Sequence, residues 1–201
     1  MVTIDQIKQL REETGVSPTE IKKALEEANG DTEKAKDLLR IWGKKVLNKK
    51  TSRETKAGLI ETYLHQNAQS GVLLDIRCET DFVSKSPDFK SLAHEICLQI
   101  VSMKPLYVKE EDIPEEILES EKVIYKEQAK ESKKPEKIAE QIIEGKLQKY
   151  KAEVSLMSQN WIKDDSLGRT GKAKTIKNLV EDTVAKVGEN IEVKRFARYE
   201  I

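Results

Sequence analysis

His65 and His94 are the only two histidines in the chain, so they are the only imidazoles that could ligate a metal or carry protons near neutral pH. Neither has a cysteine or histidine partner at metal-ligand spacing. His94-Glu95 lacks the second histidine that a zinc-binding helix places four residues on. An ordinary structural or surface role is the expectation for both. Gly168-Arg-Thr-Gly171-Lys172-Ala173 has the composition of a phosphate loop but not its form. Only two residues separate the glycines, Ala173 stands where a magnesium-binding hydroxyl belongs, and no apolar strand precedes it. It reads as a loop. Acidic pairs such as Asp164-Asp165 sit in polar stretches, and nothing in the sequence suggests the apolar setting that would split their pKa values for acid–base work. No nucleophile–base constellation stands out along the chain, although triads assemble in space rather than in sequence. Cys78 and Cys97 form no motif and fall on apolar faces of expected elements, as buried free thiols do.

Thr80-Asp81-Phe82-Val83 is the segment that polar chemistry does not explain. It is expected to connect a strand to the helix starting near Pro87, and connections of that kind lie on the surface. Phe82 and Val83 are then apolar residues at a loop tip. Two readings are open. One is a hydrophobic staple, in which Phe82 or Val83 packs on the first turn of the following helix. The other is an exposed aromatic wedge on a rigid strand–helix corner, the kind of anchor that protein interfaces use.

The elements that must position this segment follow from periodicity. Residues 1–52 are expected to form a three-helix domain with a basic linker. Thr3 and Gln6 make a capping box, and Ile4, Ile7 and Leu10 share a face. Gly15 stops that helix. Ser17-Pro18-Thr19-Glu20 starts the second, whose stripe is Ile21, Ala24, Leu25 and Ala28, and Gly30 ends it. Asp31 caps a third helix with Ala35, Leu38, Leu39, Trp42 and Val46 inward. Stripes this small can bury a core only against one another. Lys44, Lys45, Lys49, Lys50 and Arg53 give the linker its basic character, in a polar stretch without periodicity over 48–56.

Residues 53–201 are expected to form an α+β core with a small antiparallel sheet and long helices. Residues 57–66 are rich in β-formers, Asn67–Gly71 is a hairpin loop, and 72–79 alternate, with Leu74, Ile76 and Cys78 opposite Asp75, Arg77 and Glu79. A helix from Ser86-Pro87 carries Phe89, Leu92, Ala93, Ile96, Cys97 and Ile100 on one face and closes at Pro105. A charged helical hairpin covers about 114–158, bending near Ser132-Lys133-Lys134, with Ile138, Ile142, Leu147, Tyr150, Val154 and Met157 as its seam. A last helix covers about 175–187 and ends at Gly188. A strand from Ile191 to Tyr199 then closes the sheet.

Lys plus Arg and Asp plus Glu both total 36, so the formal net charge is zero. That argues against broad nucleic-acid or membrane binding, which draws on a basic excess. The first ten residues have no basic region followed by an apolar run, and no stretch of about 18 apolar residues occurs. A cytoplasmic protein is the expectation. Contact with another protein, rather than catalysis, is the expected mode of action.

Gly71-Val-Leu-Leu-Asp-Ile-Arg-Cys78-Glu79-Thr80-Asp81-Phe82-Val83, with Phe89 beyond it, closely resembles the signature of the elongation factor Ts family. Leu10-Arg11-Glu12-Glu13-Thr14-Gly15 followed by Lys22-Lys23-Ala24-Leu25 resembles the family's N-terminal signature. Met103-Lys104-Pro105, Glu144-Gly145-Lys146-Leu147 and Arg195-Phe196 continue the resemblance in order along the chain, at the length of the family's short form. The resemblance implies a ubiquitin-associated-like N-terminal bundle, no cofactor, and a guanine nucleotide exchange factor for elongation factor Tu. It implies that Phe82 is a wedge inserted between helices of the partner's nucleotide domain, with Asp81 beside it and Thr80 and Val83 flanking. GDP then leaves and GTP rebinds. It further implies that Arg11 contacts the partner from the bundle, and that the short form pairs as a homodimer. The other reading of the residues themselves is a ribosome- or RNA-associated module that uses the linker lysines.

Overall fold

A computed structural model describes residues 2–14, 16–39, 42, 53–131, 136–164 and 173–201. Eight helices among them and one three-stranded antiparallel sheet make an α+β fold, as the periodicity predicts. The strands are β1 (Ala57–Leu64), β2 (Ser70–Cys78) and β3 (Ile191–Glu200), in the order β1-β2-β3. The helices are α1 (Ile4–Thr14), α2 (Pro18–Glu27), α3 (32–39), α4 (Asp81–Ser84), α5 (Pro87–Met103), α6 (Glu115–Glu131), α7 (Glu136–Val154) and α8 (Ile176–Val187). No helix of the described residues is long and apolar enough to cross a membrane.

Two compact units account for the described contacts. The first takes Met1–Leu59, Ile76–Leu92 and Val180–Glu192. Its N-terminal helices are set by their caps. The Thr3 hydroxyl oxygen accepts the Gln6 amide at 3.3 Å, and the Ser17 hydroxyl oxygen accepts the Glu20 amide at 3.4 Å ahead of Pro18. Asp31 Oδ1 accepts from the amides of Glu33 and Lys34, both at 3.1 Å. These bonds satisfy amides that the first helical turn leaves without partners. Leu10, Ile21, Ala24, Leu25, Ala28, Ala35 and Leu39 form the buried cluster, with Ile7, Leu38 and Trp42 packed around it. Ile4 is the exception to the expected stripe. It stands in the first turn of α1 and is exposed. The helix stop expected at Gly15, the expected core residue Val46, the linker lysines, the bend at 132–134 and the 168–172 part of the glycine loop lie outside the described residues.

The second unit takes Ile60–Asp75, Ala93–Leu179 and Val193–Ile201. Its hairpin is closed by the His65 amide donating to Ser70 O at 2.8 Å, and the chain end joins by the Ile201 amide donating to Gln69 O at 3.0 Å. Leu74, Ile96, Cys97 and Ile100 are fully buried. The helix face lies over the sheet: His94 sits edge-on to Tyr63 at 5.7 Å, and the Lys104 ammonium pairs with Glu200 at 2.8 Å. Asp75, expected on the polar side of β2, is buried, with Arg195 Nε at 3.6 Å from its carboxylate. Burial of a carboxylate demands such a partner. A polar knot ties α5 to the segment after α7. Gln99 Nε2 donates to Gln159 Oε1 and to Asn160 O, and its Oε1 accepts the Ile162 amide at 3.0 Å. Helices α6 and α7 pack on each other along a half-buried seam of Ile142, Leu147, Tyr150 and Val154. Ile138 leaves that seam and is exposed.

Candidate functional site

Strand β2 ends at Cys78, and two residues later the chain turns into α4. The expected loop is one turn of helix. Four residues are too few to show helical periodicity, and too few to hold a helix without outside support. The support is local and dense. Thr80 is extended (φ −127°, ψ 158°) and its hydroxyl caps the Val83 amide. The Ser84 hydroxyl, in a buried residue, donates to Asp81 O at 2.8 Å. The Ser86 amide donates to Val83 O at 2.9 Å, and Ser86 Oγ accepts the Phe89 amide at 3.3 Å, which starts α5 at once.

This turn separates its two apolar residues. Phe82 is 87% exposed. Val83, next to it, is half-buried, and Phe89 beyond is wholly buried. Phe82 is therefore not a staple. The Asp81 carboxylate is also exposed and pairs with Lys85 Nζ at 2.8 Å, one turn on. That hydrogen bond and the lysine charge hold the Asp81 pKa below the ordinary carboxylate value, so the turn carries an anion beside the ring.

The base of the turn is gripped from the far end of the sequence. Glu189, in the connection between α8 and β3, accepts the Thr80 amide on Oε2 at 2.9 Å and the Thr80 hydroxyl on Oε1 at 2.6 Å. In return, Glu79 Oε1 accepts the Asn190 amide at 2.7 Å. Asn190 Nδ2 donates to Arg53 O at 2.9 Å, and Arg53 Nη1 lies 3.4 Å from Glu79. Gly188, at φ +83°, ends α8 in the left-handed region that lacks a steric penalty only for glycine, and so releases Glu189 from the helix. Below the turn, Asp88 pairs with Lys186 of α8 at 2.5 Å. Neither Glu189 nor Asn190 carries a sequence signal for this role, since more than a hundred residues separate them from Thr80.

Of the expected site residues, Thr80, Asp81, Phe82 and Val83 are brought together on one turn. Arg11 stands apart, exposed in the last turn of α1. The family model described as Elongation factor TS matches residues 5–168, which contain all five. Elongation factor Ts of Thermotoga petrophila is 50% identical over 200 residues, spanning 100% of this chain and 96% of that protein. The proteins of the same name from Thermotoga maritima and Rubrobacter xylanophilus are 49% and 46% identical, again over nearly the whole of both chains.

The chain belongs to the elongation factor Ts family. Membership places it among the elongation factors of protein biosynthesis. Beyond residue 168, where the family model ends, the Thermotoga proteins still align, so the α8–β3 connection that holds Thr80 is shared length rather than an extension.

Proposed function

We propose that this chain is a guanine nucleotide exchange factor that binds elongation factor Tu with GDP bound and promotes GDP release, so that GTP can rebind. The observation that carries the reading is Phe82, an aromatic ring that the fold leaves almost wholly in solvent on a turn that the fold holds tightly. An exposed aromatic costs solubility, and a rigid exposed aromatic is what an interface uses as an anchor. Thr80, Asp81 and Val83 form the partner-facing turn around it, and Arg11 adds a contact from a separate bundle, residues 1–52, ahead of a core of 53–201.

The thermodynamics need no covalent step from this chain. A factor that weakens GDP binding must itself be weakened by GDP to the same degree. Phe82 has only to bind the partner state with a disturbed magnesium and phosphate site better than the GDP-bound state. Under this reading the chain is a binding protein, not an enzyme, and it acts where the GTPase does, in the cytoplasm. The homodimer implied by the family's short form belongs to the same proposal. Leu64, Leu73 and Tyr199, exposed around one shallow sheet cavity of about 430 Å³, support it.

Phe82→Ala should keep the circular dichroism and melting temperature of the parent, because the ring makes little contact in the free protein. Stimulated release of fluorescent GDP from elongation factor Tu should fall by roughly tenfold or more, since truncating a hot-spot aromatic costs about 2 kcal/mol or more. A parental release rate from that variant would sink the reading.

A further inference from the structure

The geometry points to Glu189 as the residue that positions the Phe82 turn for exchange, an inference that rests on the exchange reading above. The ring cannot orient itself. At 87% exposure it has almost no packing, so the direction of its Cα–Cβ bond, and hence the backbone of α4, decides where it points. Helix α4 has four residues and cannot hold itself in place. Its C-terminal side is fixed by the buried Ser84 and by the start of α5. On its N-terminal side, the Thr80 amide and hydroxyl both go to the Glu189 carboxylate, at 2.9 and 2.6 Å.

Two bonds to one carboxylate fix an orientation as well as a distance, and charge-assisted bonds of this kind are the stronger sort. Glu189 is itself held. Gly188 turns the chain out of α8, and Asn190 is buried with its amide on Glu79 at 2.7 Å and its side chain on Arg53 O at 2.9 Å. The two glutamates thus exchange bonds across neighbouring chain segments, each accepting the amide that follows the other. Removing Glu189 would leave Phe82 present but loosely aimed. A wedge that fits only the disturbed partner state is sensitive to aim, and displacement by about 1 Å at a reacting centre can cost up to about a hundredfold in rate.

The test uses the full chain and the GTPase loaded with fluorescent GDP. Release rate is followed against factor concentration for the parent, Phe82→Ala, Glu189→Ala, Glu189→Gln and the Phe82→Ala/Glu189→Ala pair, with circular dichroism and melting temperature recorded for each. Glu189→Ala should lower the saturating release rate by roughly tenfold, by the same misplacement logic, with a smaller change in the half-saturating concentration. Glu189→Gln keeps one carbonyl acceptor and should fall between it and the parent. The double variant should be no slower than Phe82→Ala alone, because Glu189 acts through the ring. A slow Phe82→Ala beside a parental saturating rate for both Glu189 variants overturns the positioning role alone. So does a loss seen only in half-saturating concentration, or losses that multiply in the double variant. A parental Phe82→Ala overturns the exchange reading and this inference with it.

Discussion

Phe82 and Phe89 are seven residues apart and have opposite environments, one in solvent and one fully buried. The burial of Phe89 is legible in the sequence, because it shares a helical face with Leu92, Ala93 and Ile96. Phe82 has no such neighbours, and sequence leaves it between staple and wedge. The structure resolves it by burying part of Val83 instead. Burial of both cysteines was equally readable, from the apolar strand face of Cys78 and the apolar helix face of Cys97, and it sets their chemistry. Burial, then the Glu61 charge, pushes the Cys97 thiol from 9.0 to about 12, and burial raises Cys78 as well. A raised thiol pKa means that the native state holds the proton that the unfolded chain releases. The associated stability is complete below the ordinary thiol value and is lost as pH climbs from there toward about 12. Under native conditions at pH 8, neither thiol should react with a disulfide reagent over minutes, while both should react once the chain is unfolded in guanidinium. Prompt native labelling of one equivalent would show that a thiol is open.

At the scale of elements, boundaries were legible wherever side chains cap backbone. Thr3, Ser17 and Asp31 start their helices as their spacing predicts, and α8 stops at Gly188. Helix α4 was not legible, since its length is below a period and its support comes from Glu189. The seam of the α6–α7 hairpin was legible apart from Ile138, which stands in the first turn of α7 and is exposed. The polar knot of Gln99 was missed for another reason. A glutamine next to an apolar stripe reads as surface, and only the segment 159–162 supplies partners that justify burying it. Gln99→Leu has nearly the same volume but satisfies none of them. It leaves the Ile162 amide without its acceptor, and Asn160 O and Gln159 Oε1 without the donor that Gln99 supplied. At about 1–3 kcal/mol for a buried group left unmade, the variant should lose at least that much stability in urea. An unchanged midpoint would mean that the knot contributes nothing net to folding.

For the whole molecule, equal totals of acidic and basic residues leave no net charge to draw in a partner from a distance, which puts the weight of association on contact surfaces. The sheet offers one besides Phe82. One face of an antiparallel sheet usually meets water with polar side chains. Here β1 and β2 present Ile60, Leu64 and Leu73 to solvent, and the edge strand β3 presents Tyr199. Tyr63, one residue from Leu64, points the other way, onto His94. Strand alternation therefore assigns Leu64 to the face that α5 does not cover. That a strand more than a hundred residues from the hairpin closes the sheet was readable from its β-forming run, but the apolar outer face was not, because residues on either face of a strand look alike until a helix covers one of them. In the proposed homodimer this face is what a second copy would cover, and a two-fold axis would place the same patch on both partners. The parent should then elute with a mass of about twice its 22.9 kDa in light scattering at micromolar concentration. Leu73→Lys puts a charge in the middle of the patch without touching the buried side of β2. It should give the single-chain mass while keeping the parental circular dichroism and leaving the Phe82 turn intact. If the parent already elutes at 22.9 kDa at high concentration, the apolar face serves some other contact and the dimer part of the proposal fails, whereas the exchange reading stands or falls on Phe82.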